Sequence, residues 1–166
     1  METISRKLLL GGIATLGAAA VTGSTGRAAA PGVIGAWSLD TFEERTADGS
    51  FAPRFGPNPV GYLIYTPSGR VSATLQAKHR PPFRSPDAAT STKAESVESM
   101  HHFLAYAGRY EIHPDHVLHH IETSVFTDLV GVTLKRGYTL DGNTLTIRTL
   151  PPYIWGTESV LVWRRT

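Results

Sequence analysis

Gly35-Ala36-Trp37-Ser38-Leu39-Asp40-Thr41-Phe42-Glu43-Glu44-Arg45 opens the chain's run of extended segments, and Trp163-Arg164-Arg165 closes it. Trp37–Arg45 alternates apolar and polar residues as a half-buried strand does, and it ends at the turn signal Asp48-Gly49. Phe51–Pro59 is broken by three prolines and Gly56 and reads as a loop crossing one end of the domain. Val60–Tyr65 and Arg70–Gln76 read as strands joined by Thr66-Pro67-Ser68-Gly69, with Pro and Gly where tight turns favour them. Further strands are predicted over Ala105–Ile112, His116–Phe126, Val130–Leu140, Asn143–Leu150 and Trp155–Arg165. His113-Pro114-Asp115 and Asp141-Gly142 supply turns, the latter a strong hairpin signal.

Lys78–Thr92 is polar and rich in Pro and Ser, hence loop. Ser91–Phe103 suits one short helix, with Ser91 or Thr92 as N-cap, Glu95 close behind, and a thin apolar face of Val97, Met100, Phe103 and Leu104. Eight short strands without alternating helices indicate an all-β, antiparallel meander barrel with that single helix. Trp155 and Trp163 are expected on one face of the last strand, in the core.

Residues 1–30 stand apart. Arg6-Lys7 precedes the apolar run Leu8–Val21, and Ala28-Ala29-Ala30 offers a small-residue cleavage site. This is the pattern of a secretory signal, and the apolar run is too short to span a bilayer. Ser5-Arg6-Lys7 followed by Leu9-Leu10 is similar to a twin-arginine signal with Lys as the second basic residue. The expected mature domain is therefore 31–166, exported to the periplasm or beyond the cell, with no stable membrane insertion after processing. The segment holds three basic residues (Arg6, Lys7, Arg27) and one acidic residue (Glu2) of the chain's 16 and 14, so the remainder carries equal numbers of each sign. A neutral domain without a basic stripe argues against nucleic acid as a partner. The chain has no cysteine, which excludes thiol catalysis, Cys-ligated metals and disulfide support.

Gly35-x-Trp37 at the start and an Arg in the last strand resemble the lipocalin and calycin pattern. There the Trp plugs one barrel end and an Arg from the final strand lies across its ring. An indole face attracts a guanidinium, so Trp37 with Arg164 or Arg165 is the expected structural pair. More specifically, the chain is similar to the lipocalin-like domain family of small stand-alone bacterial and fungal barrels. The resemblance rests on four stretches: Ile34–Trp37, Phe55–Gly69 with its Gly61-Tyr62-Leu63-Ile64-Tyr65-Thr66-Pro67-Ser68-Gly69 string, Tyr106–Glu111, and His119–Phe126, with Arg136 in place as well. It departs where the family shows Pro-Asn-Trp-x-Gly and this chain has Thr127-Asp128-Leu129-Val130-Gly131. The resemblance implies an eight-stranded barrel able to hold one small ligand, and some members sit among natural-product biosynthetic genes.

Six of the seven histidines lie between His101 and His120. His119 and His120 are adjacent on a strand and point to opposite faces, so they cannot share one site. His113 and His116 read as surface turn residues; no metal site and no cofactor is expected. On strand 116–124, Val117, His119, Ile121 and Thr123 form one face; Leu118, His120, Glu122 and Ser124 form the other. With the His120 face inward, His120 and Glu122 are a candidate catalytic acid/base pair; with it outward, both are solvated and His119 is the inward residue. Val132, Leu134, Arg136 and Tyr138 share a face of the next strand, which makes Arg136 a candidate for a ligand's polar end or for pairing with Glu122. Tyr62, Tyr106 and Tyr110 are candidate cavity walls.

Three functions stay open. The first is a barrel binding a small, mainly apolar molecule by its polar end. Another is an isomerase or cyclase acting on a polyketide- or terpenoid-like substrate through His120 and Glu122. The third is a filled barrel with a structural role. The oligomeric state is not legible.

Overall fold

A computed structural model describes residues 32–166; the expected signal over 1–30 lies outside the described residues. Nine strands run β1 (Gly35–Arg45), β2 (Phe51–Pro53), β3 (Val60–Tyr65), β4 (Arg70–Gln76), β5 (Phe103–Ile112), β6 (His116–Ser124), β7 (Thr133–Asp141), β8 (Thr144–Thr149) and β9 (Ser159–Arg165). Each pairs antiparallel with its neighbour in the order β2-β1-β3-β4-β5-β6-β7-β8-β9, and β1 also pairs with β9. That pairing closes eight strands into a barrel and removes the sheet edges; β2 is a short ribbon beside β1, within the stretch read as loop.

One helix is present, α1 (Lys93–His101). Its N-cap is Thr92, whose hydroxyl accepts from the Glu95 backbone N–H while the Glu95 carboxylate accepts from the Thr92 backbone, a complete capping box. Glu95 also accepts from the Arg84 N–H at 2.6 Å and the Ser85 hydroxyl at 3.0 Å, which ties the preceding polar loop to the helix. No residue of α1 is buried. The helix ends at His101, so of the expected apolar face Val97 and Met100 lie on it unburied, whereas Phe103 and Leu104 open β5, with Leu104 buried in the core.

One end of the barrel is sealed. Trp37 is completely buried, its indole N–H donates to the Val33 carbonyl at 2.9 Å, and the Arg165 guanidinium lies 4.1 Å from the ring centroid. Arg165 also donates to the carbonyls of Ile34 and Gly32, so the cation that stacks on the plug also ties down the chain leading into β1. Arg164 points the other way, to Asp40 at 3.0 Å and Thr144 at 2.8 Å on the outer surface. Of the two candidates, Arg165 is the residue on the ring, because adjacent strand residues face opposite sides.

The core continues from the plug through Leu63, Tyr65, Val71, Val117, Leu145 and Trp163. Two irregularities set the faces. β1 slips against β9 between Leu39 and Thr41, and β5 slips against β6 between Ala107 and Gly108. At the β5–β6 slip Gly108 is required: a Cβ there would collide with the His120 carbonyl oxygen. The slip leaves Glu122 and Thr123 both facing solvent and interrupts the strict alternation expected along β6. Trp155 lies outside β9, in the loop before it, and is exposed, so it is not a core partner of Trp163.

Trp37→Ala removes a fully enclosed indole at a site that cannot collapse, and a loss of roughly 3–5 kcal/mol is expected in chemical denaturation. Arg164→Ala, on the outer surface, should change stability by no more than about 0.5 kcal/mol. Equal stability of the Trp37→Ala protein and the parent would rule out the plug.

Candidate functional site

The inner faces of β5, β6 and β7 bring one polar cluster into an otherwise apolar interior. On β6 it is Val117, His119 and Ile121 that are buried; His120 is partly exposed and Glu122 exposed. The placement of His120 and Glu122 inside the barrel as an acid/base pair is thus corrected. Two apolar neighbours flank His119 on its face, whereas the other face carries a carboxylate whose burial would be costly. His120 meets Glu111 at 3.0 Å and Thr133 at 2.9 Å, and Glu122 meets Arg70 at 2.5 Å and Arg109 at 2.9 Å, all on the outer surface. His120 and Glu122 contact other residues, not each other, and Glu122 does not pair with Arg136.

His119 is the buried histidine. Its Nε2 is 2.8 Å from the Tyr65 hydroxyl and its Nδ1 3.0 Å from the Tyr106 hydroxyl. Burial, and secondarily the nearby Arg136 cation, lower its pKa to about 3, so the ring is neutral near pH 7. Burial raises the pKa of Tyr65 and of Tyr106, with Arg136 opposing the rise in both. Both phenols are therefore protonated. Burial in turn disfavours the Arg136 charge, while Tyr106 and Tyr65 favour it. An arginine nevertheless stays protonated in a protein.

The tyrosines expected as walls separate. Tyr62 faces outward, 54% exposed, since β3 buries Gly61, Leu63 and Tyr65 instead. Tyr110 is buried against Tyr65, but its hydroxyl donates to the Thr66 carbonyl at 2.7 Å. Tyr106 alone of the three lines the interior cavity, where Arg136, His119 and Trp163 join it. The cavity is about 40 Å³, room for a water or a methyl-sized group. It shares Phe42, Leu104 and Trp155 with a vestibule of about 410 Å³ at the end opposite the plug, which Phe55, Met100 and Phe126 also line. Phe126 and Trp155 meet edge to face at 5.7 Å beside this mouth. At its rim Glu44 and Arg54 pair at 3.2 Å.

Tyr65 and Trp163 join the site although the strand pattern alone does not single them out. The readable signal is on β6, where the more apolar of the two faces carries His119. His113 and His116 stack at 4.4 Å beside their turn. Among the described residues, no group of three or more His, Cys, Asp and Glu side chains is placed to hold a metal ion, and no helix is long and apolar enough to cross a membrane.

His119 makes stability pH-dependent. Its pKa lies below the unfolded value of 6.5, so the unfolded chain binds a proton that the folded chain refuses. Its contribution is complete above pH 6.5 and declines as pH falls toward about 3. Between pH 7 and about 5.5, above the carboxylate range, the parent should lose about 1 kcal/mol more than His119→Gln, as measured by urea denaturation. Parallel curves for the two proteins would show that His119 is not held neutral.

The lipocalin-like domain family matches residues 34–166, and the chain belongs to that family. The 4'-hydroxy-3'-methoxypropiophenone carrier protein of Aspergillus oryzae is 30% identical over 107 residues, covering 57% of this chain and 96% of that protein. No solved structure matches the chain.

Proposed function

We propose that this lipocalin-like barrel binds a small, mainly apolar molecule at its open end, with the molecule's polar end reaching the Arg136–Tyr106–His119 cluster. The observation that carries this reading is a mostly apolar vestibule of about 410 Å³ that shares the walls Phe42, Leu104 and Trp155 with the cavity holding that cluster. The vestibule's size falls in the range of small-molecule sites, and its walls are mostly apolar with few convergent polar groups. The inner cavity is too small to hold a ligand by itself. The ligand's body therefore lies between Phe42, Leu104, Phe126 and Trp155, and only its tip goes deeper. A relative named as a carrier of an aromatic ketone supports a molecule of that size and character. The isomerase or cyclase reading depended on His120 and Glu122 acting together inside the barrel, and their outward placement removes its support.

The neutral, environment-sensitive dye N-phenyl-1-naphthylamine tests this. Titration into the mature domain should give a saturable, one-to-one rise in fluorescence. Trp155→Ala, which opens the wall, and Leu104→Trp, which fills the passage, should each weaken binding about tenfold, equivalent to about 1.4 kcal/mol. His120→Ala and Glu122→Ala should bind as the parent does. No saturable signal, or undiminished binding by folded Leu104→Trp, would reject the site.

We also propose that the domain acts after export, on the strength of Arg6-Lys7, the apolar run and the Ala28–Ala30 triplet. Protein recovered outside the cytoplasm should begin within a few residues of Pro31. An N-terminus at Met1 on exported protein would count against a cleaved signal.

A further inference from the structure

We infer that the barrel selects molecules bearing an acidic oxygen and holds that oxygen as its anion, with Arg136 as counter-charge and the Tyr106 O–H and Trp163 N–H as neutral donors. This rests on the binding reading above and specifies what the polar end is.

Three donors converge on the lining of one cavity that, among the described residues, has no anionic acceptor. Among the described residues Arg136 has no carboxylate within ion-pair distance. Its guanidinium donates to the neighbouring Lys135 carbonyl at 3.2 Å and to the Tyr106 phenol oxygen, both neutral acceptors. The Trp163 indole N–H is buried and has no hydrogen-bond partner among the described residues. A buried donor without an acceptor is costly and rare, so its presence beside a cavity marks where an acceptor belongs. No carboxylate among the described residues lines the cavity. Its other hydroxyl-bearing side chains, Thr149 and Ser159, are neutral, and the Thr149 hydroxyl already accepts from the Ser159 backbone N–H at 2.7 Å.

The proton of Tyr106 follows from the hydrogens available. Neutral His119 has one N–H and one acceptor nitrogen. Tyr65 is 1% exposed and its hydroxyl has His119 as its one hydrogen-bond partner among the described residues. Tyr65 is satisfied only if its O–H donates to Nε2. The imidazole hydrogen then sits on Nδ1 and donates to the Tyr106 oxygen, which leaves the Tyr106 O–H free to donate into the cavity. The opposite arrangement strands the Tyr65 hydrogen inside the core. His119 is thus a positioning residue: its tautomer aims the Tyr106 proton at the ligand.

A neutral carbonyl would satisfy the donors but leave the Arg136 charge uncompensated in an apolar site. An anionic oxygen satisfies both, and charge-assisted hydrogen bonds are the stronger ones. The apolar walls of Leu63, Leu104 and Ile147 disfavour a bare, strongly hydrated inorganic anion, so the oxygen belongs to a molecule with an apolar body. Phenolates, enolates and carboxylates share this chemistry.

The test uses 7-hydroxycoumarin, whose neutral and anionic forms have distinct spectra, its neutral analogue 7-methoxycoumarin, and 1-naphthoate as a carboxylate. The pKa of bound 7-hydroxycoumarin should fall by at least about one unit from its free value, a tenfold preference for the anion. Its affinity should then rise with pH up to the free pKa and level off above it. 7-Methoxycoumarin should bind more weakly and without pH dependence. Arg136→Met should abolish or reverse the shift and weaken the anion at least about tenfold more than it weakens 7-methoxycoumarin, Arg136→Lys should keep most of the shift, and Trp163→Phe should weaken the anion several-fold more than the methyl ether. The larger Arg136-dependent loss, of hydroxycoumarin or of naphthoate, assigns the oxygen to a phenol or a carboxylate. If the ether and the hydroxyl compound bind equally and the bound pKa is unshifted, the oxyanion site is wrong and the binding reading stands. If none of the three binds, both readings fall.

Discussion

The hydrogen bonding of β1 to β9 turns a sheet into a barrel, and the other features follow from that closure. A closed sheet has an inside that water cannot freely enter. Its inner face must therefore be filled with side chains, matched to a ligand, or both. Here one end is filled outright by Trp37, Val33 and the Arg165 guanidinium, which satisfies backbone carbonyls at the same time as it covers the indole. The absence of disulfides makes this end the natural anchor, because the opposite end is given over to loops, α1 and an open mouth.

Closure also sets the terms for polar residues. An imidazole placed inside must be neutral, and His119 is, with a tyrosine on each ring nitrogen. A guanidinium placed inside cannot shed its charge and needs an anion or solvent nearby. The barrel supplies Arg136 with phenols and a backbone carbonyl, while on the outer surface Glu122 is neutralised by Arg70 and Arg109 and Glu111 is hydrogen-bonded to His120. The separation of charges is thus consistent: carboxylates meet their partners outside, where pairing costs little, and among the described residues the Arg136 cation beside the cavity has no carboxylate partner.

The same separation bears on chemistry. A neutral imidazole between two protonated phenols is a fixed donor–acceptor chain, suited to orienting a hydroxyl. Arg136 beside it contributes charge without exchanging protons. A set of donors that does not titrate near neutral pH is the kind of arrangement that the proposed binding role calls for, with the apolar vestibule of Phe42, Leu104 and Trp155 beside it.

Strand alternation, the Asp141-Gly142 hairpin, the Thr92/Glu95 capping box and the Gly35-x-Trp37 start were legible in the sequence, because each depends on neighbours within a few residues. So was the sharing of one face by Leu134, Arg136 and Tyr138, since a strand repeats every two residues. The inward face of β6 was not, because periodicity defines two faces without naming the inner one. The bulge opposite Gly108, a contact between backbones of two strands, then puts Glu122 and Thr123 on the same side, which no single-strand pattern encodes. Tyr62 falls outside the cavity for the same reason, and Trp155 leaves the core because a loop residue beside a strand carries no period of its own. The sequence by itself determined that a closed barrel would form and which residues could alternate within it. Only the tertiary structure decided that Tyr65, Tyr106, His119, Arg136 and Trp163 meet, because they come from five different strands and their proximity arises from register and closure.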